Sequence, residues 1–250
     1  MHFSPEEIDR YARHLVLREI GGAGQQSLKA ARVLVVGMGG LGAPAALYLA
    51  AAGVGRLGLV DADVVSLSNL QRQVLYRTDQ IGAPKIEAAR DQLRALNPHV
   101  VLDLHPEPFT EDNGARLVRD YDLVLDGTDS FAVRFAVNAA CLAEGKPLVS
   151  GAIGRWTGQV GLFCTPQGPC YRCLTPQIPP DAETCQAVGV VGALAGMVGS
   201  AMALEAVKRL AGVKPDLEGR LLILDCLAWQ SRTVRLPRDP ACPACSAARG

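Results

Sequence analysis

The sequence predicts an α/β fold: a Rossmann-like, mainly parallel sheet with helices on both faces, a C-terminal antiparallel extension and a four-cysteine zinc site. Three observations predict it. Strand and helix patterns alternate from residue 32 to residue 150, as βαβ units do. The first strand, Arg32-Val33-Leu34-Val35-Val36, runs into Gly37-Met38-Gly39-Gly40-Leu41-Gly42, a G-x-G-x-x-G turn that opens an alanine-rich helix. Beyond residue 151 the pattern turns antiparallel, and two Cys-x-x-Cys pairs appear.

Composition sets outer bounds. A chain of 250 residues suffices for one large or two small domains. It reads as one, with an N-terminal helical segment (1–31), a nucleotide-binding core (32–152) and an antiparallel, zinc-stapled part (153–250). Hydrophobic residues make up 49% and aromatics 5%, so the core is aliphatic, as buried parallel sheets tend to be. Zero net charge and no long basic run exclude a surface that coats nucleic acid. Residues 1–20 are charged and lack the apolar core of a signal peptide. The most apolar stretch, Ala187 to Leu204, holds four glycines and a serine without flanking anchors, and reads as a buried helix rather than a membrane span. The expectation is a soluble, cytoplasmic protein with neither membrane nor nucleic-acid partner.

Taken in order, Ser4-Pro5-Glu6-Glu7 starts the first helix with a capping box, serine at the N-cap and glutamate at the third position. Ile8, Tyr11, Ala12 and Leu15 continue at helical spacing, and Arg10, Arg13 and Arg18 read as a solvated face. Gly21 to Gly24 reads as a flexible turn, and Gln25 to Ala31 as a short helix feeding the first strand. The helix after the glycine turn aims its free N–H groups and its dipole at any anion held there. The second strand, Arg56 to Asp61, ends on a carboxylate placed to accept from ribose hydroxyls. The polar loop Ala62 to Gln73 follows, at the strand end where open α/β sheets bind ligands. Ala83-Pro84-Lys85 starts a helix that Asn97-Pro98 stops. A lysine at a helix N-terminus opposes the dipole, and is well placed if a phosphate is near.

The third strand is Val100 to Leu104, followed by a short helix from Asn113 to Arg119. The fourth strand, Tyr121 to Asp126, carries Gly127-Thr128-Asp129-Ser130 at its end, then a helix to Glu144 and a fifth strand, Pro147 to Ser150. Gly154 to Phe163 alternates like an antiparallel strand. Gly168 to Cys173 reads as a loop, Pro176 to Glu183 as irregular, Gly189 to Leu210 as mostly helix, and Arg220 to Asp225 and Ser231 to Leu236 as strands.

Eight cysteines in such a chain point to metal or catalysis more than to disulfides. Cys170-x-x-Cys173 and Cys242-x-x-Cys245 each offer two thiolates, and together most simply make one closed, structural four-cysteine zinc site. Redox activity of either pair is the competing reading. Cys141, Cys164 and Cys226 lie in or beside apolar segments and read as inert buried thiols. Cys185 precedes the glycine-rich helix in a polar loop, where a thiol is either nucleophilic or a bystander.

Gly39, Gly40, Asp61, Asn69, Arg72, Lys85 and Asp129 all come from strand ends or adjacent helix starts. Two cations and an acid beside a nucleotide cradle suit a triphosphate better than a dinucleotide. Arg72 and Lys85 can hold phosphates and stabilise charge at the α-phosphate, and Asp129 can hold Mg²⁺. Transfer of a nucleotidyl group needs mainly positioning and charge neutralisation. A nicotinamide-dependent oxidoreductase using NAD(P), or a non-catalytic nucleotide-binding scaffold, remains open on the glycine motif alone.

The chain resembles the adenylyltransferases that activate ubiquitin-like sulfur carriers, the ThiF and MoeB family, relatives of the ubiquitin-activating enzymes. The matching residues are Arg10-Tyr11-x-Arg13, Gly37-x-Gly-Gly-Leu-Gly42, Asp61-x-Asp63, Ser66-x-Ser-Asn-Leu-Gln-Arg-Gln73, Gly82-x-Pro-Lys85 and Asp126-Gly-Thr-Asp129. Pro169-Cys-Tyr-Arg-Cys173, Thr184-Cys185, Gly189-Val190 and the terminal Cys-x-x-Cys complete the series. The resemblance implies ATP-dependent adenylation of a carrier's C-terminal Gly-Gly carboxylate, release of pyrophosphate, and later exchange of AMP for sulfur. Molybdopterin, thiamin, thiolated tRNA and cysteine pathways all use this type of enzyme. By resemblance, Gly39, Gly40, Asp61, Ser68, Asn69, Leu70, Gln71, Arg72, Lys85, Asp129 and Ser130 bind ATP or its Mg²⁺. Arg72, Lys85 and Asp129 serve catalysis, and Ser130 stands where many relatives carry Asn. Arg13 matches an arginine that reaches the partner subunit's site, which implies a homodimer. Cys185 matches a cysteine that links to the carrier in some members. Cys170, Cys173, Cys242 and Cys245 match Zn²⁺ ligands, and the segment 153–250 is implied to bind the carrier. Some relatives add a rhodanese-like domain after the zinc motif, where this sequence stops, so a separate persulfide donor is expected.

Overall fold

The structure, a computed structural model, describes residues 2–178 and 189–246. Among them, eight strands join one sheet: β1 (Arg32–Val36), β2 (Arg56–Val60), β3 (Val101–His105), β4 (Leu123–Asp126), β5 (Leu148–Gly154), β6 (Thr157–Phe163), β7 (Arg220–Asp225) and β8 (Gln230–Arg235). Their order is β3-β2-β1-β4-β5-β6-β7-β8. Pairing is parallel from β3 through β5 and antiparallel from β5 through β8. The order reverses direction between β1 and β4, the switch point where an open α/β sheet leaves a crevice at its carboxyl edge.

The central strands are buried on both faces, which is why they read as continuous apolar runs. Val33 and Val35 of β1, with Leu57, Leu59, Leu123 and Leu125, face a core closed by α3 (Gly21–Ala30), α4 (Gly42–Ala51), α5 (Lys85–Leu96) and α9 (Gly192–Ala211). Leu34 and Val36, with Val60, Val124 and Leu148, face the other core, closed by α6 (Glu111–Val118), α7 (Phe131–Ala143) and the short α8 (Tyr171–Leu174). One-residue alternation along β1 therefore serves both layers. The apolar stretch before Leu204 lies largely in α9, and no helix among the described residues is long and apolar enough to cross a membrane.

The N-terminal helices α1 (Pro5–Arg10) and α2 (Ala12–Leu15) dock beside this layer. The expected capping box is formed, with Ser4 Oγ accepting from the Glu7 N–H and Glu7 Oε2 accepting from the Ser4 N–H. Asn97 ends α5 and is fully buried. Its amide donates to the Ala50 carbonyl at 2.7 Å and to the Tyr11 hydroxyl at 2.8 Å, tying α5, α4 and the N-terminal helices together.

Four local expectations are corrected. Gly21 to Gly24 is the start of α3 rather than a turn, because Gly24 fits between Ile20 and Ala211, where a Cβ would stand 3.0 Å from Ile20 Cγ2. Tertiary packing overrides the poor helix propensity of glycine here. The helix expected from Asn113 starts at Glu111, because Thr110 caps it by accepting from the Asn113 N–H. β5 extends to Gly154 because β6 pairs with it over seven residues, Leu148 with Phe163 through Gly154 with Thr157. The expected loop at Cys173 contains the single helical turn α8.

Candidate active site

A cleft of about 280 Å³ opens at the switch point. The turn after β1 forms its floor. Gly37 has φ +83°, a left-handed conformation that a side chain disfavours. Gly42 faces the Gly37 carbonyl so closely that a Cβ there would overlap it, and a Cβ on Gly127 would stand 2.8 Å from the Gly42 nitrogen. The β1 and β4 turns thus touch, and α4 begins directly after Gly39, Gly40 and Leu41, which line the cleft.

Asp61 follows β2. Its Oδ2 accepts from the Met38 N–H at 2.7 Å and its Oδ1 from the Asp63 N–H at 2.8 Å. The carboxylate therefore fixes the glycine turn, and each oxygen keeps a further lone pair for a ligand hydroxyl. Lys85 is the first residue of α5 and is only 3% exposed. A buried ammonium demands a partner. Lys85 Nζ finds Asp63 Oδ2 at 2.8 Å and Asp61 Oδ2 at 3.9 Å. Arg72 comes from the polar loop and turns back on it, with Nη1 donating to the Ser68 carbonyl at 3.2 Å and Nη2 to Asn69 Oδ1 at 3.0 Å. Two cations thus line the same cleft as Gly39 and Gly40.

On the opposite side, Asp126 ends β4 fully buried. It accepts from the Thr128 N–H at 3.0 Å, the Thr128 hydroxyl at 2.6 Å and the Ser150 hydroxyl at 2.9 Å. This shapes the turn that presents Asp129, an exposed carboxylate at the cleft. Tyr76 donates to the Met38 carbonyl at 2.7 Å, and burial, with Asp61 and Asp63 nearby, pushes its phenol far above the ordinary range. It stays a neutral strut for the glycine turn.

Of the residues singled out in the sequence, Gly39, Gly40, Asp61, Asn69, Arg72, Lys85, Asp129 and Ser130 all line the cleft. Ser68, Leu70 and Gln71 do not; Leu70 packs on the core, and the Gln71 carbonyl abuts Gly192. Arg13 is exposed on α2 and lines no part of its own chain's cleft. Cys185 lies outside the described residues, as do most of the irregular 176–183 segment and the last four positions of the chain. Asp63, Gln73 and Arg134 line the cleft as well, beyond the residues singled out in the sequence. Asp63 sits in a matched motif, and Gln73 ends the polar loop, so both had a local signal. Gln73 is buried against the cleft with an unpartnered Oε1. Arg134 has no signal beyond its position on α7.

The four cysteines converge as the spacing predicted. Cys170 Sγ stands 3.6 Å from Cys242 Sγ and 3.9 Å from Cys173 Sγ, and Cys173 Sγ stands 3.6 Å from Cys245 Sγ. All four lie within 4.8 Å of one another. Tetrahedral Zn²⁺ with bonds of about 2.3 Å requires sulfur separations of about 3.8 Å, so this donor set fits it. Cys141 and Cys164 are buried and not part of that four-sulfur set, and burial pushes the Cys141 thiol far up, in keeping with an inert role.

Comparison with known proteins supplies an independent view. The ThiF family profile matches residues 11–244. The chain is 47% identical over 252 aligned residues to the sulfur carrier protein adenylyltransferase of Thermus thermophilus, covering 98% of this chain and 93% of that one. It is 46% identical to the molybdopterin-synthase adenylyltransferase of Escherichia coli, covering 97% and 98%. It is also 46% identical to the probable adenylyltransferase/sulfurtransferase MoeZ of Mycobacterium tuberculosis, covering 96% of this chain but 63% of that longer protein. Among solved structures, PaaA superposes with a TM-score of 0.81 at 27% identity, over 94% of this chain and 75% of that one. E. coli MccB with ATP superposes with a TM-score of 0.82 at 21% identity, over 97% and 75%, a likeness of fold alone.

Proposed function

The chain belongs to the ThiF family, and from that premise we propose that it is an ATP-dependent adenylyltransferase acting on the C-terminal glycine carboxylate of a ubiquitin-like sulfur-carrier protein. The observation that carries this reading is the switch-point cleft, where Gly39, Gly40, Arg72, Lys85, Asp61 and Asp129 converge. A carrier carboxylate oxygen attacks the α-phosphorus of ATP, the bond to the β-phosphate oxygen breaks, and pyrophosphate leaves with that electron pair. Arg72 and Lys85 neutralise the charge that builds on the phosphate oxygens. Their donors are preset by Ser68, Asn69 and Asp63, so little reorganisation is needed as charge develops. Asp61 accepts from the ribose. Asp129 offers carboxylate oxygens suited to Mg²⁺, which when bound neutralises phosphate charge. No histidine or tyrosine lines the cleft among the described residues, so it offers no pair to orient a hydride acceptor.

Cys170, Cys173, Cys242 and Cys245 would hold Zn²⁺ with four thiolates, and the ion would supply a structural cross-link rather than a Lewis acid. The reading extends to a homodimer in which Arg13, exposed and outside the lining of its own cleft, enters the partner's. It further includes a persulfide donor on a separate protein and a cytoplasmic setting where ATP and free thiols coexist. The test is pyrophosphate release from ATP with a Gly-Gly-tailed carrier present, with the product read by mass spectrometry. Release should require the carrier's intact C-terminus. Release that ignores removal of the terminal glycines would refute the assignment.

A further inference from the structure

Arg134 sits one turn into α7 and is 6% exposed. Its Nη2 donates to the Thr128 carbonyl at 2.6 Å, and its Nη1 reaches the Tyr171 hydroxyl at 3.4 Å. The guanidinium lies 6.0 Å from the centre of the Phe131 ring and 5.9 Å from that of Tyr171. Two rings and a hydroxyl fix its orientation, so the short charge-assisted bond to Thr128 is aimed rather than incidental. Thr128 is thereby held from both sides, its N–H and hydroxyl by Asp126 and its carbonyl by Arg134. The next residue is Asp129, at the cleft.

Tyr171 carries the same chain of contacts to the cysteine cluster. It lies between Cys170 and Cys173 in sequence, is 3% exposed, and stacks edge-on against Phe163 at 5.5 Å. Its N–H donates to Asn138 Oδ1 at 2.7 Å, one turn along α7 from Arg134. Any ion that draws the four sulfurs together also holds Tyr171 in place.

We propose that Arg134 is the positioning residue for Asp129 and that, through Tyr171, it couples the nucleotide cleft to the four-cysteine cluster. The coupling rests on the adenylyltransferase reading of the cleft. A turn preset in this way loses less conformational freedom when Mg·ATP binds. A metal-free cluster frees Tyr171, lets the guanidinium swing, and loosens the Thr128–Asp129 turn.

The test titrates Mg·ATP calorimetrically into wild type, Arg134→Gln and Arg134→Lys, each as purified and after chelation, with metal content read on the same samples. Arg134→Gln should keep its metal yet weaken Mg·ATP binding about tenfold, as expected for loss of one hydrogen bond to a charged group. Arg134→Lys should rescue little, since an ammonium has no plane to stack and no fork to aim. In turnover the loss should fall mainly on KM for ATP. Chelation should weaken wild type by a similar factor and add almost nothing to Arg134→Gln, the non-additivity of one shared path. In wild type alone, chelation should also speed hydrogen exchange at the Thr128 amide. The proposal is overturned if Arg134→Gln binds Mg·ATP within about twofold of wild type, if the chelation penalty is equally large in the variant, or if Thr128 exchange ignores chelation. Failure of the adenylyltransferase reading looks different: metal-loaded wild type would release no pyrophosphate in answer to a Gly-Gly-tailed carrier, whatever its affinity for Mg·ATP.

Discussion

Lys85 shows how a residue that looks misplaced in isolation becomes intelligible in its surroundings. Its position at the start of α5 sets its charge against the helix dipole. Asp63 and Asp61 offset that, and the cleft beside them suits phosphate. Replacing Lys85 with Ala should lower carrier-dependent pyrophosphate release by about 10²–10³-fold, the scale of losing one preset charge-stabilising group. The fold should tolerate the change. Asp63 is 73% exposed and remains solvated, and Asp61 keeps its two backbone N–H donors. A large fall in thermal midpoint with activity intact in the folded fraction would assign Lys85 a structural role instead. At this scale most of the cleft was legible, because charged and glycine residues at strand ends carry a local signature. Arg134 was not, since only the folded chain brings Thr128 and Tyr171 to its two sides.

Elements were readable where their signals are local. The capping box at Ser4, the stop at Asn97 and the apolar runs of β1, β2 and β4 form as their neighbours in sequence dictate. Asn97 adds something no helix-stop rule contains, a buried amide shared between α4 and the Tyr11 hydroxyl. Asn97→Ala should destabilise the protein by about 2–3 kcal/mol, since the Ala50 carbonyl is left without this donor in the interior. Urea unfolding measures it, and a change below about 0.5 kcal/mol would mean that solvent reaches the gap. Catalysis at temperatures well below the midpoint should be unchanged. The start of α3 and the length of β5 depart from local sequence pattern for a common reason. Gly24 is helical because α9 packs on it, and β5 is long because β6 pairs with it. Each depends on a partner distant in sequence.

Across the whole molecule, the cysteine cluster joins the antiparallel extension to the core. Cys170 is the N-cap of α8 and Cys173 lies within it, α8 packs on α7, and Cys242 and Cys245 bring in the tail after β8. If the cluster holds Zn²⁺, chelation, or Cys242→Ser with Cys245→Ser, should release it and expose the tail to limited proteolysis. The five-stranded parallel region has its own buried core and should keep its far-UV signature. Loss of the entire circular-dichroism signal on metal removal would show instead that the cluster is a condition of folding.

The alternation of strands and helices, the glycine turn with its acid and cations, and the two Cys-x-x-Cys pairs are each written within a few residues, because they follow from local stereochemistry and charge. Tertiary structure alone decided where the sheet reverses, how α9 and α3 share a face, and which residues lie behind the cleft. Those depend on contacts between segments far apart in the chain. A buried arginine set between the Thr128 carbonyl and the Tyr171 hydroxyl exists only once both segments have been folded against α7.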